Sequence, residues 1–308
     1  QLQKNGLLKP ELFLQGKEMK KKLFENFIHG VFLITGLITI VAVLVISGYL
    51  IISGLPAISE IGLIQFLFGQ EWKPTGTTPM YGILPFILTS IYGTCGAILL
   101  GTPIAILSSV FLAKVAPKKI KTIFVSGISL LAGIPSVVYG LVGMLILVPF
   151  VRSAFNLSDG ASLFSAIIVL SIMIYPSVVK ISLDALDAVP REYEEASLAL
   201  GATKIETYFK VSIPAAKSGI TTSIVLGVGR AIGEAMAVMM VSGNVANMPK
   251  LFESVRFLTT AVASEMSYAS GLQRQALFSI ALVLFVFIMF INASLNMFLK
   301  KDKKGNSK

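Results

Sequence analysis

The sequence predicts an all-α membrane protein with six transmembrane helices and both termini in the cytoplasm. Three observations predict it: the composition, six long runs free of charged residues, and an uneven distribution of Lys and Arg between the connections. Hydrophobic residues make up 55% of the 308 and charged residues only 14%. Soluble domains carry about 25% charged residues, so this chain has too little charge to coat a soluble core. Its mean hydropathy of +0.81 agrees.

A bilayer core about 30 Å thick needs roughly 20 apolar helical residues. Runs that long occur at 27–59, 81–113, 122–151, 160–179, 218–249 and 275–299. In the fifth run only Arg230 and Glu234 intervene. Backbone N–H and C=O groups cannot stay unpaired in lipid, so these runs should be helices. The first run, with its span near 28–54, is too long for the apolar part of a signal peptide and lacks an A-x-A-like end. Pro85, Pro103, Pro135 and Pro176 lie in or near spans and should bend or break them. The stretch 244–274 carries Leu251, Phe252, Val255, Leu258 and Val262 at helical spacing. It should lie on the membrane surface or tuck back into the bundle.

Orientation follows from the positive charges. The net charge is +10. Twenty Lys and Arg fall in segments 1–26, 114–122, 180–217 and 300–308, and five in 55–80, 152–159 and 250–274. The richer set is the cytoplasmic one. Basic residues beside apolar spans are topology signals, so nucleic acid is not an expected partner; the lipid bilayer is. The reading divides the chain into a cytoplasmic tail at 1–26, one permease domain at 27–300 with a cytoplasmic loop at 185–215, and a basic tail at 301–308. Residues 1–18 are set apart from the fold reading, because a tail of this kind can be foreign to the fold.

Catalytic chemistry finds little here. One histidine, His29, and one cysteine, Cys95, give no metal cluster and no internal disulfide. No catalytic, metal or cofactor site is expected. The phosphate cradle G-x-x-x-x-G-K-[ST] is absent, because Lys217-Ser218 lacks the earlier glycine. Any ATP hydrolysis must come from another chain.

The loop between spans four and five stands out. Pro190 marks a helix start, and Glu192, Glu194 and Glu195 suit a helix N-terminus. Gly201 suits the C-terminal turn. A second short amphipathic piece carries Ile205, Tyr208 and Phe209 and should end at Pro214. Two short helices at a bend on the cytoplasmic side are expected.

This loop resembles the signature loop of ABC importer permeases, E-A-A-x3-G-x9-I-x-L-P. Here it reads Glu195-Ala196-Ser197, then Gly201, then Val211-x-Ile213-Pro214. Ser197, Val211 and Ile213 depart from the pattern but keep its size or hydrophobicity. The resemblance implies a type I ABC importer permease fold and a loop that docks on an ATPase subunit. It places Glu194, Glu195, Ala196, Ser197, Gly201, Ala202 and Pro214 at that contact.

Arg230 and Glu234 stand in a fifth-span segment, Gly227-Val228-Gly229-Arg230-Ala231-Ile232-Gly233-Glu234-Ala235-Met236-Ala237-Val238. One charge at mid-bilayer costs at least about 2.5–3.5 kcal/mol, so such residues usually mark a pathway. Their i, i+4 spacing predicts one helix face and a mutual ion pair beside small glycines. The segment resembles the phosphate-specific permeases, and among them the subunit usually lettered C. Gly133-Ile134-Pro135-Ser136-Val137-Val138-Tyr139-Gly140-Leu141 in the third span fits the same family, and the resemblance covers roughly 20–300.

Phosphate needs charge compensation in a low-dielectric path. Arg230 supplies a guanidinium fork. A break at Pro135 would free N–H groups at a half-helix start, with Ser136 as a hydroxyl partner. Glu234 would accept the hydrogen bond of a protonated phosphate and repel sulfate, which has no proton. The substrate-binding residues expected are Arg230, Glu234 and Ser136. The resemblance implies three kinds of partner beside phosphate and lipid: a homologous second permease, an ATPase dimer, and an external phosphate-binding protein. The place implied is the cytoplasmic membrane of a bacterium or archaeon. Another oxyanion, molybdate or phosphonate, remains open to the residues alone. A channel would not need the docking loop, and a membrane enzyme would need reactive groups the chain lacks.

Overall fold

The computed structural model describes residues 9–305. The tails set apart at 1–26 and 301–308 reach beyond these, into 1–8 and 306–308, outside the described residues. The chain divides into two units, residues 1–52 and 53–308. The first is the larger part of helix α1 (Lys9–Ile61). From Phe24 on it is apolar enough to cross a bilayer, and none of its most apolar window is buried, as suits a helix solvated by lipid.

The second unit begins with the end of α1 and a short α2 (Leu63–Phe68). A two-residue hairpin follows, β1 (Trp72–Lys73) antiparallel to β2 (Met80–Tyr81), with Trp72 opposite Tyr81. Helix α3 (Leu84–Val110) takes Pro85 in its first turn, where no N–H is needed. It continues through Pro103 and winds into a π-helical turn, Phe111–Val115. Helix α7 (Leu163–Asp187) likewise continues through Pro176. Both prolines bend their helices without ending them.

The third and fifth spans are each interrupted, the third beside Pro135 and the fifth where no break was expected. In the third, α4 (Lys118–Gly133) stops at Ile134, which takes an extended conformation before Pro135. The proline ring disfavours helical backbone in the residue ahead of it. The chain restarts as α5 (Ser136–Val142), passes a π turn (Gly143–Leu147) and ends as α6 (Val148–Ala154). In the fifth, α11 (Lys217–Gly233) stops at Glu234, again extended, and α12 (Met236–Val241) follows. Between α7 and α11 lie α8 (Arg191–Ala199), α9 (Lys204–Thr207), a π turn (Tyr208–Ser212) and α10 (Ile213–Ala215). Pro214 stands inside α10 and does not end it. The tail end is α13 (Leu258–Glu265) and α14 (Gly271–Gly305).

Among the described residues, five single helices are long and apolar enough to cross a membrane. Counting the bent pair Lys204–Ala215 with Lys217–Gly233 gives six. Helix α7 is the centre: 67% of its most apolar window is buried, against 39% or less in the others. It packs along α3 and α11. Polar groups bridge both seams. Ser171 Oγ donates to Ala97 O at 3.2 Å, and Ser182 and Ser223 hydroxyls meet at 2.8 Å. Such bonds between membrane helices contribute about 0.6 kcal/mol each.

The stretch 244–274 folds back, with Val255 and Leu258 almost fully buried. Helical spacing misleads ahead of Leu258, where α13 begins. Leu251 to Val255 run as a turn and a bridge to Gly243. On this side a buried Glu265 carboxylate accepts from Arg256, from Trp72 Nε1 at 3.2 Å and from Gln273 Nε2 at 3.0 Å. That knot ties the hairpin, α13 and α14 together.

Candidate functional site

The two interrupted spans bring their second halves together. Helix α5 packs on α12. Their closest approach is at Gly140, where an added Cβ would stand 2.7 Å from Ala237 Cα. Only a residue without a side chain permits that spacing. Tyr139, its neighbour, reaches back across the Pro135 break and donates to Leu131 O at 2.7 Å. The same carbonyl accepts from Ile134 N–H at 3.1 Å, so the hydroxyl adds a second bond across the break.

Arg230 occupies the last turn of α11, half-buried, where the helix dipole favours a cation. Its Nη1 donates to Ser177 Oγ of α7 at 2.9 Å. The guanidinium also lies within electrostatic reach of Tyr139. The expected ion pair with Glu234 is not formed. Because the helix ends at Gly233, the i, i+4 register fails. Glu234 turns to the next helix instead. Its Oε1 accepts from Ala237 N at 3.0 Å, and its carbonyl accepts from Thr259 Oγ1 at 2.8 Å. These two bonds hold the break open without a proline.

Ser136 is the first residue of α5, half-buried, with no side-chain cap on that helix start. It reaches the site through the α5–α12 packing; no bond joins it to Arg230 or Glu234 among the described residues. Beside the Pro135 break an apolar cleft of about 450 Å³ runs between Leu131, Val138, Phe150 and Ile172. It carries no charged side chain, so it is not the place for an anion.

The cytoplasmic loop forms a second site. Gly201, at φ +87°, closes α8 in the left-handed conformation that a glycine takes at no steric cost. Thr203 and Glu206 cap α9 reciprocally. The Glu206 carboxyl is held below its ordinary value first by the Thr203 backbone N–H, then by the Thr203 hydroxyl and Lys210. The turn between α8 and α9 is an apolar crest: Leu200 is 90% exposed and Ile205 70%. Glu195, Ala196, Gly201 and Pro214 are exposed, and Ala202 is half-buried. Ser197 turns inward to Thr207 Oγ1 at 3.0 Å. Glu194 also turns inward, to Lys114 Nζ at 2.6 Å and to Ser212 Oγ at 2.8 Å.

Residues 101–301 match the family model described as the binding-protein-dependent transport system inner membrane component. The chain belongs to this family. As such a permease it is a multi-pass transport subunit of the inner membrane. It is 40% identical over 241 residues to the probable ABC transporter permease protein YqgH of Bacillus subtilis (strain 168), covering 76% of this chain and 78% of that one. To the phosphate transport system permease protein PstC of Pasteurella multocida (strain Pm70) it is 32% identical over 264 residues, with 79% and 82% covered. A solved bacterial alginate ABC transporter, in complex with alginate pentasaccharide-bound periplasmic protein, has the same fold at a TM-score of 0.59. It is 15% identical and covers 95% of this chain and 98% of that one.

Three residues of the permease's two sites were not singled out from sequence. Ser177 follows Pro176 in a helix that otherwise reads as plain apolar. Tyr139 lies in a quoted motif but gave no hint of bridging a break. Lys114 reads as one topology charge among four in its segment. Only the fold supplies their partners.

Proposed function

We propose that this permease is a subunit of an ATP-driven importer of inorganic phosphate, forming half of the translocation pathway. One observation carries the reading. Arg230 stands half-buried at an interrupted span with a neutral hydroxyl as its hydrogen-bond partner, and no carboxylate pairs with it among the described residues. A guanidinium so placed keeps its charge and its other N–H donors for a passing anion. The relative named as a phosphate transport permease supports the choice of anion.

In this reading Ser177 orients the guanidinium, and Ser136 with the uncapped start of α5 adds donors from the opposite half-helix. Glu234 keeps acceptor capacity beyond its bond to Ala237. It accepts a hydrogen bond from the P–OH of a protonated phosphate and disfavours sulfate, which has no such donor. The exposed crest at 195–205 docks an ATPase subunit, and a second homologous permease completes the path. An external binding protein delivers phosphate, and the hydrolysing chains are separate. The membrane is the cytoplasmic membrane of a bacterium or archaeon.

The test is the reconstituted complex with phosphate-loaded binding protein. Phosphate-stimulated ATP hydrolysis and import, lost in Arg230→Ala while assembly persists, support the reading. Stimulation by another oxyanion and not by phosphate would keep the fold and overturn the substrate.

A further inference from the structure

Helix α8 is held to the rest of the molecule in an unusual way. It has no buried side chain. Its Ser197 ties it only to Thr207 of the same loop. Glu194 is different. It binds Lys114, which belongs to the π turn that ends the second span. The two side chains are 11% and 20% exposed, far less than in the Lys121–Asp187 and Lys210–Glu206 pairs. Low exposure weakens screening and strengthens the pair relative to a surface bridge.

The pair is also braced from both sides. Ser212 donates to the same Glu194 oxygen, and the Tyr208 hydroxyl donates to the Lys114 carbonyl at 3.2 Å. Ser212 and Tyr208 come from the second π turn, Tyr208–Ser212. Two π turns therefore face each other across one ion pair. A π turn carries an extra residue in a helix and is found mostly at functional positions.

We propose that the Lys114–Glu194 pair is the internal link through which movement of the docking loop enters the second span. The proposal rests on the reading that the loop docks an ATPase. Glu194 then faces the bundle and Glu195 the ATPase, so adjacent residues serve opposite sides of one helix. Movement of α8 pulls on Lys114 and hence on α3. Helix α3 packs along α7, and α7 carries Ser177, the residue that holds Arg230. Lys114 and Glu194 are positioning residues, not substrate contacts.

The test uses the assembled complex in lipid with two readouts. The first needs no substrate. Spin labels on Cys95, the exposed native cysteine in α3, and on Arg191→Cys at the start of α8 report their separation with and without ATP. A narrow separation in the parent that broadens in Lys114→Met and Glu194→Gln is expected. The exchanged variant Lys114→Glu/Glu194→Lys should narrow it again. The second readout is phosphate moved per ATP hydrolysed, expected to fall about tenfold in each single variant and to recover in the exchange. Lys121→Met, which breaks the more exposed pair with Asp187, is the control that keeps parental coupling.

Unchanged separation and unchanged coupling in the single variants overturn the proposal. If these variants do not assemble, Glu194→Asp keeps the charge and shortens the reach; parental coupling in it also overturns the proposal. A complex that shows the first readout but moves no phosphate leaves the link standing and sinks the substrate reading.

Discussion

The Arg230 guanidinium donates to the Ser177 hydroxyl across 2.9 Å, so the cation inside the fifth span is oriented by a neutral residue of the fourth. Ser177→Ala should leave assembly intact and lower phosphate import about tenfold, since a hydrogen bond to a charged group is worth about 1.5–3 kcal/mol. Arg230→Lys should also transport poorly, because an ammonium lacks the fork that matches phosphate oxygens. Import assays on both variants check this; parental rates would remove Ser177 and the fork from the pathway.

Glu234 makes one backbone bond that any side-chain acceptor can keep. Glu234→Gln retains an oxygen for Ala237 N and loses the charge. It should fold normally and become sensitive to competition by sulfate. Equal loss of all transport, with sulfate still ignored, would reduce Glu234 to a role in shaping the break.

The α5–α12 contact leaves no room at Gly140. Gly140→Val should destabilise the protein by about 1–3 kcal/mol through overpacking, seen as a lower melting temperature in detergent. The neighbour is backbone of Ala237, which cannot rotate away as a side chain end would.

The Glu265 knot offers a spectroscopic handle, because Trp72 is the only tryptophan. Glu265→Ala strands Arg256 at 16% exposure and frees the indole N–H. A loss of about 3 kcal/mol is expected, with a shifted Trp72 emission. Unchanged emission would mean the knot does not hold the hairpin.

The cytoplasmic loop should loosen in acid. The folded Glu206 carboxyl titrates below its unfolded value, so its contribution to the cap is complete above the ordinary carboxylate range. It is lost as the pH falls through the folded value. Protection of the Glu206 amide, taken relative to the intrinsic exchange rate at each pH, should fall on acidification, and Glu206→Gln should show the weaker dependence.

The membrane class and the two short helices of the loop at 191–214 were legible in the sequence because each rests on composition or local spacing. Apolar length and the Gly201 turn are local signals. The Pro135 break was legible for the same reason. The break at Glu234 was not, since no proline marks it; it depends on Thr259, 25 residues later. With it went the assumed Arg230–Glu234 pairing. The inward turn of Glu194 was hidden too, because its partner Lys114 is remote in sequence and reads as an ordinary topology charge. The period in 251–262 pointed to helix throughout, and long-range packing imposes a turn over 251–255.

The apolar crest at Leu200 and Ile205 has a cost before the complex exists. A chain that reaches the membrane ahead of its partners displays two greasy side chains to the cytosol on the turn between α8 and α9, beside a helix with no buried side chain. Chaperones and quality-control proteases recognise such surfaces. The supply of this subunit must therefore be matched to that of whatever covers the crest, and any surplus should be short-lived.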